Sequence, residues 1–168
     1  MKKLLIFILC LGLFFGVTMP ASAVIRESKI PPNTILYKST QTWRDTSNNP
    51  WQVVFFKQVD NQKNPQINLR LVGFPDLFEF SHPQPLTIKI REDLRVKAPD
   101  IFASDEDALT TNMGQYDFSP IIEQLESNNF WLLELPLKDG KVSTIKIPYF
   151  ILEEWKNIIT KSKTDNQM

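Results

Sequence analysis

Apolar and polar residues alternate with a period of two along several segments of this chain, and this pattern limits its possible folds more than any other feature. The alternation is clear over residues 66–74, where Ile67, Leu69 and Leu71 are separated by polar side chains. Successive side chains of a β-strand point to opposite faces, so the period indicates strands with one buried and one solvated face. The chain is therefore predicted to form a mostly antiparallel β-sheet.

Turn signals divide the strand-like segments into hairpins. Two hairpins are predicted in this way: residues 34–45 and 51–60 around the turn 46–50, and residues 130–137 and 141–147 around Asp139-Gly140. The second of these turns is the strongest short hairpin signal in the chain.

A third hairpin is predicted over residues 86–98, and the burial pattern selects the length of its turn. A two-residue turn would place Ile90 opposite Arg95 and mix apolar with charged side chains on one face. A three-residue turn over 92–94 pairs Ile90 with Val96 and keeps one face apolar.

The other face of this hairpin is basic and is the main candidate binding surface. It is predicted to carry Lys89, Arg91, Arg95 and Lys97. Arg91 is expected opposite Arg95, and like charges opposite each other destabilise a sheet unless an anion compensates them. That anion comes either from the acidic segment 105–107 or from an external acidic protein or anionic lipid surface. Arg70, on the polar side of strand 66–74, is included in the candidate surface.

Two helices are expected beside the sheet. Ser119 is predicted to cap a short helix that runs through residue 126, with Pro120 at its first position. A last helix is predicted to begin near Pro148, with apolar residues at helical spacing: Ile151, Leu152, Trp155, Ile158 and Ile159. Residues 99–115 are predicted to be a long acidic loop. The fold class is thus predicted as α+β, with six to eight antiparallel strands and one or two short helices on one face.

Residues 1–23 are predicted to be a cleaved signal peptide. Lys2 and Lys3 precede a fourteen-residue apolar run, and small residues follow it, with cleavage expected after Ala23. A membrane span needs about 20 apolar residues, so the run is too short to serve as an anchor. We expect an exported protein with one domain over 24–160 and a disordered tail over 161–168.

Composition excludes several function classes. Without the two leader lysines, acidic residues outnumber basic ones by two, which argues against nucleic acid as a partner. Cys10 is the only cysteine and lies in the leader, so thiol chemistry is excluded from the mature chain. His82 is the only histidine, and we predict neither a metal site nor a cofactor.

His82 is the one candidate for catalysis. As a general base in a hydrolase it would need an orienting carboxylate, for which Asp76 and Glu79 are nearest. No nucleophile motif such as G-x-S-x-G accompanies it, so a role in fixing a turn is favoured and the protein is predicted to be non-enzymatic.

Aromatic residues at strand spacing are expected to form the core. A cavity between the sheet and the last helix, holding a small apolar ligand such as a lipid or a pigment, is the alternative. The loop after strand 66–74 keeps Phe74, Leu77 and Phe78, which are predicted to form an exposed contact patch.

Several short motifs resemble one known family. They are Gln41-Thr42-Trp43-Arg44-Asp45, Trp51-Gln52, Leu69-Arg70-Leu71-Val72-Gly73-Phe74-Pro75, His82-Pro83-Gln84-Pro85-Leu86 and Gly114-Gln115-Tyr116-Asp117. The chain resembles a family of small exported cyanobacterial proteins known as a domain of unknown function (DUF3122). The resemblance implies a cyanobacterial setting, in which the export signal leads to the periplasm or the thylakoid lumen, and it implies no activity. We therefore expect an accessory protein that docks an acidic or membrane-associated partner.

Overall fold

The computed structural model describes residues 25–30, 34–60, 63–102, 111–124 and 130–162. The predicted leader, the acidic segment 105–107, the end of the predicted helix 119–126 and residues 163–168 of the predicted tail 161–168 lie outside the described residues.

The described residues form nine β-strands in two antiparallel sheets. The first sheet has the order β1-β2-β3-β4-β7 and the second has the order β6-β5-β8-β9. The strands are Arg26–Ile30 (β1), Thr34–Arg44 (β2), Pro50–Val59 (β3), Gln66–Val72 (β4), Leu86–Lys89 (β5), Arg95–Ala98 (β6), Met113–Asp117 (β7), Phe130–Pro136 (β8) and Val142–Pro148 (β9). Short 3₁₀ helices lie at Ser119–Gln124 and Lys138–Gly140, and helix α1 spans Tyr149–Thr160. The α+β class is confirmed.

Two of the nine strands were not predicted, because neither has a readable alternation. β1 pairs with β2, but all five of its residues are exposed, so no apolar face marks it. β7 pairs with β4 at the end of the predicted loop 99–115, and its inward positions are only Gly114 and Tyr116. These strands raise the count above the six to eight that were expected.

The inner faces of both sheets and helix α1 share one hydrophobic core. Ile67, Leu69 and Leu71 are buried, as the alternation predicted. Trp155 of α1 stacks on Phe55 of the first sheet, with ring centroids 4.5 Å apart. It also meets Trp131 of the second sheet edge-on. The helix therefore packs against residues from both sheets.

The β5–β6 hairpin has the predicted faces but a different register. Lys89 pairs with Arg95, and the backbone N–H of Ile90 donates to the carbonyl oxygen of Leu94. Two predicted pairs are therefore wrong: Ile90 with Val96, and Arg91 with Arg95. The reason is Leu94, which packs against the core and so continues the apolar face. The turn consequently lies one residue earlier than predicted, over residues 91–93.

Helix α1 is tied to the first sheet at its C-terminal end by Lys57. The Lys57 ammonium donates to the carbonyl oxygens of Ile159 and Lys161, and the Tyr37 hydroxyl donates to that of Ser162. The last carbonyls of a helix have no partner within the helix and attract cations. Burial lowers the pKa of Lys57, and these carbonyl contacts give the buried ammonium its partners.

Candidate docking surface

The outer face of the second sheet carries three cations in one transverse row. The row runs Arg95, Lys89, Leu132, Lys146, each residue in register with the next. Neighbouring strands lie about 4.8 Å apart, so the row is about 14 Å wide. It faces outward because the residues beside it along the strands are buried: Ile88, Ile90, Val96, Trp131, Leu133, Ile145 and Ile147.

The adjacent row adds one more cation and one carboxylate. It runs Lys97, Thr87, Glu134, Thr144. Arg95 Nη2 lies 3.7 Å from Glu134 Oε1, which is a diagonal contact between the rows. We call these two rows together the basic face. Its strand residues include four cations against one anion.

Two turn carboxylates partly neutralise the surroundings of the basic face. Glu92 Oε2 lies 2.8 Å from Lys89 Nζ, and Asp93 Oδ1 lies 3.6 Å from Arg91 Nε. The hydrogen bond and the charge of Lys89 lower the pKa of Glu92. Both carboxylates are exposed, and exposed ion pairs contribute at most about 1 kcal/mol, so a partner can displace them.

The structure brings together only some of the predicted surface residues. Lys89, Arg95 and Lys97 share the basic face, whereas Arg91 lies in the turn. Arg70 lies on the first sheet, where its guanidinium donates two hydrogen bonds to Gln115 Oε1. Lys146 was missed by the sequence analysis. The polar positions of β9 signal it, but only the strand order places it beside the hairpin.

The loop after β4 exposes two of its three predicted contact residues. Phe74 and Leu77 are exposed, while Phe78 is buried with its ring centroid 4.6 Å from that of Trp51. The predicted patch is therefore reduced to Phe74 and Leu77. A shallow open groove of about 310 Å³ lies beside Phe74 and is lined in part by Trp51 and Gly73.

His82 is held by Asp100 rather than by Asp76 or Glu79. Its Nδ1 lies 2.6 Å from Asp100 Oδ2, and its Nε2 lies 3.1 Å from the carbonyl oxygen of Met113. Both ring nitrogens are thus engaged in contacts within the protein. This geometry favours the structural role over general-base catalysis.

Asp100 is the buried end of this pair. Its side chain is only 2% exposed, and it also accepts the backbone N–H groups of Gln84 and Phe102. Burial and the charge of Asp100 raise the pKa of Tyr116 well above its ordinary value. The Tyr116 hydroxyl is itself buried without a hydrogen-bond partner among the described residues, and its raised pKa keeps the phenol neutral.

A second buried carboxylate, Asp45, links the two sheets. Its oxygens accept hydrogen bonds from the Trp51 indole N–H and from the Ser143 hydroxyl of β9. The backbone N–H groups of Ser47 and Asn49 also donate to it. Burial opposes ionisation of Asp45, but these hydrogen bonds outweigh it and lower the pKa.

The interface between α1 and the first sheet is the place where the alternative prediction puts a small apolar ligand. The stacked rings of Phe55 and Trp155 occupy this interface. Within the described part of the chain, Ser39 Oγ, Glu154 Oε1 and Trp155 Nε1 are buried without a hydrogen-bond partner. Polar atoms of this kind make the interface a poor site for a wholly apolar ligand.

Among the described residues, no three His, Cys, Asp or Glu side chains lie close enough together to hold a metal ion. None of their helices combines the length and the apolar character required to cross a bilayer.

A protein-family model matches residues 23–158, and its family is described as a protein of unknown function (DUF3122). No curated protein and no solved structure matches the chain significantly. The matched range includes every strand described above and all but the last two residues of α1.

Proposed function

The chain belongs to the family of unknown function DUF3122, and we propose that it is a non-enzymatic accessory protein that binds an acidic partner protein through its basic face. Export by the predicted leader would bring it to that partner outside the cytoplasm, in the periplasm or the thylakoid lumen. The partner is thus defined by carboxylate groups on its surface.

The row of Arg95, Lys89, Leu132 and Lys146 carries this proposal. Lys89 lies directly opposite Arg95, and a like-charged pair of this kind destabilises a sheet by about 0.2–1 kcal/mol. Glu92 and Glu134 offset this repulsion only in part. An acidic surface laid on the row would neutralise its cations, and Leu132 at the centre would supply an apolar contact.

The attraction is local to this face. Without the predicted leader the chain has two more acidic than basic residues, so no overall field draws an anionic partner toward it. Charges in solution are screened beyond about 10 Å at 0.1 M salt. Binding through the basic face should therefore weaken steeply as salt is added.

Fluorescence anisotropy with a labelled polyglutamate peptide, as a defined acidic probe, tests the proposal. The double variant Lys89→Glu/Lys146→Glu should bind about tenfold more weakly than wild type, because it places carboxylates on both sides of Leu132 in the row. The matched control is Lys29→Glu/Lys38→Glu, which makes the same change in charge on the first sheet. It should change the affinity by less than about twofold.

An equal loss of affinity in the two double variants would show that the peptide senses net charge and would reject the basic face. Circular dichroism melting of each variant establishes that it is folded. The same pair of variants, used as bait with the exported proteins of the host, should then separate partners held by the basic face from those held elsewhere.

The proposed route of export has its own test. N-terminal sequencing of the protein from its host should find Val24 as the first residue, since cleavage is expected after Ala23. Recovery of the chain with Met1 intact would contradict export by a cleaved leader.

A further inference from the structure

Four aromatic side chains lie together where helix α1 begins. We call them the aromatic end: Trp43, Phe130, Tyr149 and Phe150. The rings of Trp43 and Phe150 have centroids 6.0 Å apart. Phe130 is in register with Pro148, the residue before Tyr149. The four residues therefore form one neighbourhood built from three elements.

The aromatic end is exposed to an unusual degree for such large apolar side chains. Phe150 is 62% exposed and Tyr149 is 51% exposed, while Trp43 is half-buried against the core. Buried neighbours on the same helix, Ile151 and Leu152, show that the exposure follows the helical face rather than fraying of the helix. Contiguous exposed apolar groups typically mark an interaction surface.

Two lysines lie over the rings of the aromatic end. Lys146 Nζ is 4.2 Å from the ring centroid of Phe130, and Lys156 Nζ is 6.0 Å from that of Tyr149. Glu153 pairs with Lys156 and is the carboxylate that faces this group on the helix. Each of these two exposed rings thus has a lysine ammonium beside it.

We propose that the aromatic end binds the surface of an anionic lipid bilayer. Tryptophan and tyrosine favour the headgroup region, where an apolar ring and a polar edge are both accommodated. Phe150 would enter the acyl boundary, while Lys146 and Lys156 would contact lipid phosphates. This charge complementarity selects an anionic bilayer over a neutral apolar surface. The inference does not depend on the acidic partner and shares only Lys146 with the basic face.

The loop residue Phe74 provides a matched comparison. It is 62% exposed, the same as Phe150. No lysine or arginine lies over its ring among the contacts of the described residues. Substituting Phe74 therefore removes an aromatic ring that is as exposed as Phe150 from a surface where no lysine among the described residues lies over the ring.

Trp43 supplies a local fluorescent reporter. Of the four tryptophans it is the only one that is not buried, the others being Trp51, Trp131 and Trp155. Vesicles of 70% phosphatidylcholine and 30% phosphatidylglycerol, with brominated acyl chains, should quench Trp43 when the aromatic end inserts. The full chain is used throughout, so residues 1–23 contribute equally to every variant. Trp43→Phe should abolish the quenching and so verify the reporter.

The variants then separate the aromatic end from other modes of binding. Tyr149→Ser/Phe150→Ser should require about tenfold more lipid for half-maximal quenching, whereas Phe74→Ser should behave as wild type. Lys146→Glu/Lys156→Glu should lose most of the quenching, and pure phosphatidylcholine vesicles should give little with any variant.

Two results would overturn the inference: no quenching of Trp43 by the anionic vesicles, or an equal loss in Phe74→Ser and in Tyr149→Ser/Phe150→Ser. Binding of the polyglutamate peptide by Tyr149→Ser/Phe150→Ser should remain as in wild type. A failure at the lipid surface is therefore distinguishable from a failure of the proposed function.

Discussion

The outer faces of the two sheets use their cations in opposite ways. On the first sheet, Arg70 donates two hydrogen bonds to its register neighbour Gln115 and lies 5.7 Å from the ring centroid of Phe56. On the second sheet, Lys89 has a cation, Arg95, as one neighbour and Leu132 as the other. Arg70 is thus held by neutral partners within its own sheet, whereas Lys89 lies beside another cation and is offset by the exposed turn carboxylate Glu92.

This difference separates a structural cation from one available to a partner. Both faces arise from the same alternation of buried and exposed residues, so the alternation alone does not distinguish them. The distinguishing feature is which side chain stands beside the cation on the neighbouring strand. Arg70 has an amide and an aromatic ring next to it, and so it contributes to the fold.

The largest effect on the free energy of unfolding is expected where the two sheets are joined. The contrast between their outer faces requires that the two sheets stay packed together. Asp45→Ala should lower the free energy of unfolding by about 3 kcal/mol, because it leaves the buried N–H of Trp51 and hydroxyl of Ser143 without their acceptor. Urea denaturation measures this loss. The exposed carboxylate Asp93 serves as the control, and a loss in Asp93→Ala as large as in Asp45→Ala would contradict the assignment.

The same link should give the stability a dependence on acid pH. The pKa of Asp45 in the folded protein lies below its ordinary value of 3.8. Its contribution is therefore complete above that value and is lost as the pH falls through the folded-state pKa. Melting curves between pH 6 and about pH 2 should show a smaller acid destabilisation in Asp45→Asn than in wild type. Parallel curves for the two proteins would refute this role.

The pair of His82 and Asp100 forms a second link between the two sheets. His82 lies in the connection from β4 of the first sheet to β5 of the second, and Asp100 follows β6 of the second sheet. His82→Ala should cost about 2 kcal/mol, since it removes the side-chain partner of a buried carboxylate. Lys138→Ala, which breaks a half-exposed pair with Glu79, should cost less than about 0.5 kcal/mol. Equal costs in chemical denaturation would mean that the His82 pair is no more than a surface contact.

The smallest effect tests the two faces directly. Arg70→Ala should cost about 1 kcal/mol through the lost hydrogen bonds and ring contact. Arg95→Ala should stay within about 0.5 kcal/mol, because the lost contact with Glu134 is offset by relief of the repulsion from Lys89. The losses of unfolding free energy in the two variants are compared in one buffer. A larger loss in Arg95→Ala than in Arg70→Ala would show that Arg95, rather than Arg70, supports the fold.

Local patterns predicted seven of the nine described strands and the last helix, because each of these depends on residues close in sequence. The β2–β3 hairpin follows from its turn, and the buried face of α1 follows from helical spacing. The division into two sheets has no local signal. The same holds for Asp45 and Ser143, which are 98 residues apart, and for Lys146, whose place beside Leu132 depends on strand order.

The partner of His82 shows the same limit of local patterns. Asp76 and Glu79 are nearer in sequence, but the chain turns so that Asp100, eighteen residues away, meets the ring. Charge pairing within the β5–β6 turn was also missed, because the burial of Leu94 moved Arg91 out of the strand. In each case a contact across the fold decided the result.

Lysine acetylation, mapped by mass spectrometry with and without the polyglutamate peptide, tests the central claim most directly. Exposed Lys97 and Lys146 belong to the basic face, whereas Lys29 and Lys63 lie elsewhere on the molecule and are also exposed. If the basic face is the docking surface, the peptide should slow acetylation of Lys97 and Lys146 by about threefold or more and leave Lys29 and Lys63 unchanged. Uniform protection of all four lysines, or protection of Lys29 and Lys63 alone, would contradict the proposed docking surface.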